Sequence, residues 1–214
     1  EIGLVSYGGY SQVELVLDDG DAYVNVTSNP ITNDYSAIDT IQRHKQAGHY
    51  NGWTGMGYGI QDAKEMLVGD PNDPNNNGYT RYGARPTMII MTDGQTNQGP
   101  SGWQLPGGWS WDDWTDYNGD GNANYSTSNT KKQYAFWEAT EAIRHGVTVH
   151  TMSVGAYADR NLMEAIAFAG SGVWMNVPGG STVADMEAQL VDAFRQIAAN
   201  VPPAKLIYDY EATP

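Results

Sequence analysis

The alternation of strand-like and helix-like segments constrains the fold of this 214-residue chain more than any other feature. Apolar runs of strand length at 87–92, 147–155 and 172–177 are each followed by helical spacing. A glycine or a polar cluster separates most of these segments, as is typical of short connections. The pattern predicts an α/β fold, a doubly wound and mostly parallel sheet with helices on both faces.

Further elements are predicted from spacing and turn residues. The helix at 131–145 should stop at Gly146, the helix at 159–169 should be capped by Asp159, and the last helix by Ser181 or Thr182. The last helix carries an apolar stripe at Val183, Met186, Leu190, Phe194 and Ile197. The first part of the chain predicts a buried strand at 2–7, an edge hairpin at 13–17 and 22–27, and a weak helix at 34–46. A further helix is predicted at 56–68, with Met56, Ile60, Ala63 and Leu67 on one face.

One domain is predicted over residues 1–200, because no compositional break divides the chain. Insertions rich in Asn, Asp, Pro, Gly and Trp interrupt it at about 69–85 and 95–130. Residues 201–214, which open with Pro202-Pro203 after Val201, are expected to form a tail, either a linker or an added strand.

Charge and composition exclude several classes of function. Eleven basic residues stand against 25 acidic ones, a net charge of −14, which argues against nucleic acid and anionic membranes as partners and favours cations. The absence of cysteine excludes disulfides and thiolate metal sites. No apolar run reaches the roughly 20 residues of a membrane span. Because the chain opens at Glu1 with a strand-like run, we expect a processed or truncated product.

A carboxylate follows the most apolar strand directly. The run at 88–91 ends in Thr92-Asp93-Gly94, which places Asp93 at the carboxyl end of a strand. Ligands of open α/β sheets bind beyond these ends. The alternative is that Asp93 only begins a turn before Gly94, which is common for Asp-Gly.

Four motifs in order resemble the von Willebrand factor A domain. "EIGLVSYG" is similar to the second strand of that family, "GWTGMGYGIQDAKEML" to its threonine loop and helix, "PTMIIMTDGQ" to its central strand, and "AIRHGVTVHTMSVGA" to its next helix and strand. The resemblance runs from Glu1 to about Asn200 and implies a metal-ion-dependent adhesion site. Thr54 and Asp93 match two of the three loops that form this site, and Mg²⁺ or Mn²⁺ would bind there together with the carboxylate of a protein partner.

The third loop of the family, an Asp-x-Ser-x-Ser after the first strand, does not occur in these residues. The family's first strand lies between the strands corresponding to 2–7 and 87–92, so an empty slot would leave backbone groups unpaired. We therefore expect an upstream segment or another chain to complete the sheet and the site; otherwise the fold serves as a scaffold.

A second cation site is predicted from oxygen side chains at alternate positions with glycine at the sixth place. This pattern is that of the first half of an EF-hand calcium loop, although Thr127 stands where a bidentate glutamate is usual, so Asp112 or Asp113 would have to assist. The alternative is a turn without metal. The predicted Ca²⁺ ligands are Asp116, Asn118, Asp120, Asn122 and Asn124, and a weaker candidate comprises Asp70, Asn72, Asp73 and Asn75.

The remaining residues do not indicate catalysis. The histidines have no metal-ligand spacing, no glycine-rich phosphate loop follows the first strand, and no hydrolase dyad is evident, so no enzyme is predicted. The tryptophans of the second insertion favour a small core of its own over a ligand surface. The histidines are His44, His49, His145 and His150, and the tryptophans are Trp103, Trp109, Trp111 and Trp114.

These observations predict an extracellular or cell-surface module that binds a protein ligand through a divalent cation. The alternative is a structural subunit of a surface filament, pilus or layer, held by calcium and strand exchange as a homo-oligomer.

Overall fold

The computed structural model describes residues 1–8, 11–13, 31, 33, 35, 53–70, 73, 75, 77–80, 83–180 and 182–200. Five strands and five helices lie in these ranges. The strands are β1 (Val5–Tyr7), β2 (Ser11–Val13), β3 (Thr87–Thr92), β4 (Thr148–Val154) and β5 (Trp174–Val177). The helices are α1 (Met56–Val68), α2 (Asp112–Thr115), α3 (Thr130–Arg144), α4 (Arg160–Ala169) and α5 (Val183–Asn200).

The main sheet is parallel, with the order β3-β4-β5, and helices cover both of its faces, which confirms the predicted α/β class. Thr87 lies opposite Thr148, and Met152 lies opposite Met175. β1 and β2 form a separate antiparallel pair with Val5 opposite Val13.

The first strand differs from the prediction. β1 is half-buried rather than buried, Ile2 is exposed, and β1 pairs with β2 instead of entering the main sheet. Beyond Val13 the predicted hairpin lies outside the described residues, as do nearly all of the predicted helix at 34–46 and the whole tail.

One face of the main sheet carries most of the hydrophobic core. Because β-strand side chains alternate between faces, Met88 and Ile90 of β3 point to the same side as Val149 of β4. Against this face pack α1, α3 and α4 through Met56, Ile60, Phe136, Ala139, Leu162, Met163 and Ile166.

The opposite face is covered by α5 over β4 and β5. Ala193 and Ile197 are buried against Met152 and Val177. The predicted stripe is therefore only partly right: Ile197 faces the core, Leu190 packs at its margin, and Phe194 is 43% exposed.

The buried side of α1 also differs from the prediction. Met56, Ile60 and Lys64, spaced four residues apart, are buried, whereas Ala63 and Leu67 are half-buried. Lys64 Nζ lies 2.7 Å from Glu138 Oε2 of α3. Burial raises the pKa of the Glu138 carboxyl, and the Lys64 ammonium opposes that shift.

The tryptophan-rich insertion packs on the main core, which contradicts the predicted separate core. Trp109 and Trp111 contact Phe136 of α3 with ring centroids 5.9 and 4.7 Å apart, and Trp103 contacts Tyr134 at 5.3 Å. Trp114 also lies against the core cluster. The insertion is therefore anchored by aromatic packing on α3.

Helix ends follow the predicted positions but not always the predicted contacts. Asn129 caps α3 by accepting from Lys131 N at 3.0 Å and Lys132 N at 3.4 Å. The Thr182 hydroxyl accepts from Asp185 N at 3.1 Å before α5. Asp159 stands before α4, yet its side chain makes no capping hydrogen bond there.

Candidate functional site

Thr54 lies at the carboxyl end of the main sheet because the loop after β3 holds its backbone. The Thr54 carbonyl accepts hydrogen bonds from Asn97 N (2.9 Å), Gln98 N (3.2 Å) and Thr96 Oγ1 (3.1 Å). The Thr54 N–H donates to Asn97 Oδ1 at 2.7 Å. Four hydrogen bonds to one residue fix its position relative to β3.

The Thr54 hydroxyl lies against the turn that follows β3. A Cβ atom placed on Gly94 would be 3.0 Å from Thr54 Oγ1, so the hydroxyl occupies the space that a side chain at this position would need. Gly94 N also donates to Thr92 Oγ1 at 3.4 Å. The structure therefore places Thr54 beside the turn that contains Asp93 and Gly94, and this region is hereafter the Thr54–Asp93 site.

The Asp93 side chain is exposed and accepts no hydrogen bond from the residues that the structure describes. A carboxylate in this state keeps all its lone pairs for a cation or for water.

Tyr7 was not predicted to belong to this region. Its hydroxyl donates to the Met91 carbonyl at the end of β3. Burial raises the pKa of the Tyr7 hydroxyl above its usual range, and the neighbouring Asp93 carboxylate raises it further. The aromatic residue in "LVSYG" gave no sign of this contact, because 84 residues separate the partners.

A second carboxylate near the site is already neutralised. Asp159 N donates to the Gly94 carbonyl at 3.2 Å, which places the start of α4 beside the same turn. The Asp159 carboxylate is buried, and its Oδ2 lies 2.9 Å from Lys132 Nζ. This pair explains why Asp159 does not cap α4, and among the described residues it leaves Asp93 as the unpaired carboxylate at this turn.

The donor set suits a hard divalent cation. A hydroxyl and a carboxylate are ligands of the kind that Mg²⁺ takes, and Mg²⁺ keeps several waters when few protein ligands are present. In the described part of the chain no three His, Cys, Asp or Glu residues come together as a possible metal cluster. These residues therefore supply two ligands, and further ones must come from water, a partner or other parts of the protein.

The predicted calcium loop, residues 116–124, is closed by its own hydrogen bonds. Asp116 Oδ1 accepts from Gly119 N (2.7 Å) and Asp120 N (3.1 Å), and its Oδ2 accepts from Gly121 N (2.8 Å). Asn122 and Asn118 donate to the Asp120 carboxylate, which lowers its pKa. The remaining predicted ligand, Asn124, accepts from Tyr117 N at 2.6 Å.

Asp112 also contacts this loop, through a hydrogen bond rather than through a cation. Its Oδ1 accepts from Ala123 N at 2.7 Å, whereas Asp113 makes no such hydrogen bond with the described residues. The Thr127 hydroxyl accepts a hydrogen bond from Asn129 N at 3.1 Å. The loop is thus ordered by carboxylate and amide oxygens that accept backbone N–H groups, and calcium binding there stays a prediction.

The weaker calcium candidate is only partly described. Asp73 Oδ1 accepts from Asn75 N at 2.9 Å and from Asn75 Nδ2 at 3.1 Å, and Asp73 N donates to the Asp70 carbonyl at 3.1 Å. Asn72 lies outside the described residues. These contacts form a turn, and calcium binding by these residues stays a prediction.

Two of the four histidines are described, and both have structural contacts. His145 ends α3 with its Nδ1 2.8 Å from the Glu141 carbonyl oxygen. His150 is buried in β4, and its Nδ1 accepts from Val173 N at 3.0 Å. His44 and His49 lie outside the described residues.

Comparison with known proteins supports the fold but assigns no family. No protein-family profile matches the chain, and no curated protein is significantly similar to it in sequence. Among solved structures, the conserved hypothetical protein BatB from Bacteroides thetaiotaomicron is similar with a TM-score of 0.52 and 14% identity, over 92% of this chain and 78% of that one.

Proximal thread matrix protein 1 (PTMP1) of the mussel byssus is similar with a TM-score of 0.52 and 16% identity, over 92% of this chain. This chain spans about a third of the length of PTMP1, at 36%. A further structure of that protein, described as having a zinc-occupied MIDAS motif, also has a TM-score of 0.52. At such identities the likeness shows the fold alone.

None of the helices in the described ranges has the length and apolarity needed to cross a membrane.

Proposed function

We propose that the chain is an extracellular or cell-surface binding module of the von Willebrand A type, which captures a protein through a divalent cation at Thr54 and Asp93. The observation that carries the proposal is the position of the Thr54 hydroxyl, 3.0 Å from where a Cβ on Gly94 would lie, next to an exposed Asp93 carboxylate that no described residue pairs with. We infer binding rather than catalysis, because the described residues of the site include two candidate cation ligands and no positioned base or nucleophile.

Charge supports the need for a cation. The chain carries a net charge of −14, so an acidic partner would be repelled from most of its surface. A divalent ion between Asp93 and a partner carboxylate removes this repulsion locally. The solved PTMP1 structure with a zinc-occupied MIDAS motif is an extracellular relative in fold, and it supports both the cation and the location.

Thermal unfolding of the full-length gene product tests the proposal. Mg²⁺ or Mn²⁺ at 100 times its dissociation constant stabilises a one-site protein by about 2.7 kcal/mol. We expect a stabilisation that EDTA reverses and that Asp93→Ala removes. Asp113→Ala, which deletes an exposed carboxylate on α2, should keep it. An unchanged melting temperature of the wild-type protein with either cation would remove the adhesion mechanism.

A second candidate function is assembly by strand exchange, and the free side of β3 favours it. Pro86 O accepts from Thr148 N at 3.0 Å and so faces β4. Alternate residues of a strand point their backbone groups to opposite sides, so Thr87, Ile89 and Met91 face away from β4. No strand within the described ranges pairs with this side, on which the Met91 carbonyl accepts from the Tyr7 hydroxyl and the backbone groups of Thr87 and Ile89 have no strand partner.

The side chains beside this open strand are apolar and exposed. Ile89 is 42% and Met91 46% exposed, on the sheet face that α5 covers over β4 and β5. Gln189, Asp192 and Gln196 of α5 line a cavity of about 260 Å³ at the β5 side. Val191 and Phe194, exposed at 42% and 43%, lie on the opposite flank of that helix. The face thus offers an unpaired strand with apolar neighbours, which a strand from another chain would complete.

Native mass spectrometry at rising protein concentration separates the two functions. Polymers that Met91→Lys abolishes would support strand exchange, since a charge on an open strand blocks pairing. Tyr79→Lys, at an exposed position beyond α1, is the matched control. A stable monomer that binds a partner only with a divalent cation would support the adhesion module.

A further inference from the structure

Two exposed aromatic side chains flank the Thr54–Asp93 site. Trp53 is 60% exposed and Tyr157 is 83% exposed. Trp53 directly precedes Thr54, whose hydroxyl contacts Gly94, and Tyr157 lies two residues before Asp159, whose N–H donates to the Gly94 carbonyl. The two residues therefore stand on different loops that both meet the turn at Gly94.

The exposure of Trp53 is unusual for this chain. The structure describes all seven tryptophans, and the other six are at least half-buried. Several of those six pack on α3 or the main core. Leaving an indole in water forfeits the favourable burial of its large apolar surface. A single exposed tryptophan beside a predicted ligand site therefore needs a role that the core does not provide.

Both rings stand on loops that the protein holds in place. Thr54 makes the four hydrogen bonds described above. The Tyr157 loop is tied at Gly155, whose N–H donates to the Val177 carbonyl at 2.7 Å and whose carbonyl accepts from Arg160 Nη2 at 3.1 Å. Rigid aromatic anchors lose little conformational entropy on binding and dominate interface energies.

We propose that Trp53 and Tyr157 form the selectivity surface of the site and favour a partner segment whose carboxylate is flanked by apolar side chains. The inference rests on the proposed function, because the carboxylate is held by the cation while the neighbouring side chains contact the rings. Aliphatic side chains fit this surface because they bury the indole and phenol faces without placing a charge between them.

Peptide binding to the full-length gene product tests the inference, with Mn²⁺ present and calorimetry as the readout. The probes are blocked Leu-Asp-Leu, Gly-Asp-Gly and Leu-Asn-Leu peptides. We expect wild-type protein to bind Leu-Asp-Leu about tenfold more tightly than Gly-Asp-Gly, the size of one good contact. Trp53→Ala and Tyr157→Ala should each reduce this preference while leaving Mn²⁺ affinity unchanged. Tyr79→Ala, an exposed tyrosine beyond the other end of α1, should preserve it.

The outcomes separate the inference from the proposed function. Equal affinity for the two aspartate peptides, or a preference that survives both alanine variants, overturns the selectivity surface. Absence of Mn²⁺ binding to the wild-type protein, or equal binding of the asparagine peptide, overturns the cation mechanism. A leucine preference that the alanine variants abolish supports the selectivity surface, whether or not the asparagine peptide also binds.

Discussion

The Thr54–Asp93 site and the 116–124 loop use similar oxygen side chains in opposite ways. In the 116–124 loop, Asp116 accepts three backbone N–H groups and Asp120 accepts from Asn122 and Asn118. At the Thr54–Asp93 site it is the backbone of Thr54 that is held, and the Asp93 carboxylate is left exposed. The loop uses its carboxylates to hold its own shape.

This difference shows that the oxygen content of a segment does not measure its capacity for a cation. An aspartate has about four lone-pair positions, and each hydrogen bond within the protein occupies one of them. Asp116 has one left after three such bonds, whereas Asp93 keeps all of them within the described residues. The site with fewer acidic residues is therefore the better candidate for a Mg²⁺-type ion.

The largest expected effect comes from Asp93→Ala. If Asp93 is one of two side-chain ligands, as we propose, its removal should weaken Mn²⁺ binding by more than about 100-fold, since even outer partners of metal ligands contribute 10–100-fold. The free energy of unfolding without metal should change little, because the side chain is exposed and makes no protein hydrogen bond in the described ranges. Calorimetry and chemical denaturation measure the two quantities. A large loss of stability without metal would show that Asp93 is a structural residue.

Thr54→Val should have the next largest effect. Valine retains the shape of threonine but lacks the hydroxyl, so we expect about a tenfold loss of Mn²⁺ affinity. The backbone hydrogen bonds of Thr54 to Asn97 and Gln98 remain possible. Thr54→Ser keeps the oxygen and is the control. Equal affinities of the valine and serine variants would exclude the hydroxyl as a ligand.

Asp116→Ala should disturb local order and spare Mn²⁺ binding at the other site. The change leaves the N–H groups of Gly119, Asp120 and Gly121 without their acceptor, a loss of the kind that costs about 1 kcal/mol. Hydrogen exchange of these three amides should accelerate with no metal present. Slow exchange in the variant would mean that the carboxylate does not hold the loop.

The smallest expected effect is a dependence of the free energy of unfolding on pH. Burial lowers the pKa of His150 below its usual 6.5, and its Nδ1 accepts from Val173 N only while unprotonated. Stability from this group is therefore complete above pH 6.5 and declines as the pH falls below that value, since the unfolded chain binds the proton first. Denaturation between pH 7 and pH 5 should show this decline, and His150→Phe should flatten it. An unchanged slope in the variant would assign the pH dependence to other groups.

Sequence predicted the elements of the main sheet well, because their periodicity is local. The helix at 56–68 and the strand at 87–92 have the predicted bounds. Motif order also predicted that Thr54 and Asp93 lie in neighbouring loops, and the structure places Thr54 beside the Asp93-Gly94 turn at the carboxyl end of the sheet.

What sequence missed depends on contacts between distant residues. Lys64 forms an ion pair with Glu138, which is 74 residues away in the chain, and this ion pair allows a lysine to be buried on α1. Lys132 forms an ion pair with Asp159, and the Asp159 side chain does not make the predicted capping hydrogen bond. Phe194 is exposed because the burial of α5 centres on Ala193 and Ile197, which a stripe of large residues alone could not reveal.

A Mn²⁺ titration followed by backbone amide NMR tests the central claim most directly, because the paramagnetic ion broadens only signals near its binding site. The Thr54–Asp93 site predicts that the amides of Thr54, Gly94 and Asn97 broaden at the lowest Mn²⁺ concentrations, and that Asp93→Ala abolishes this first phase. Broadening that begins instead at Gly119 and Gly121, and persists in Asp93→Ala, would contradict the account.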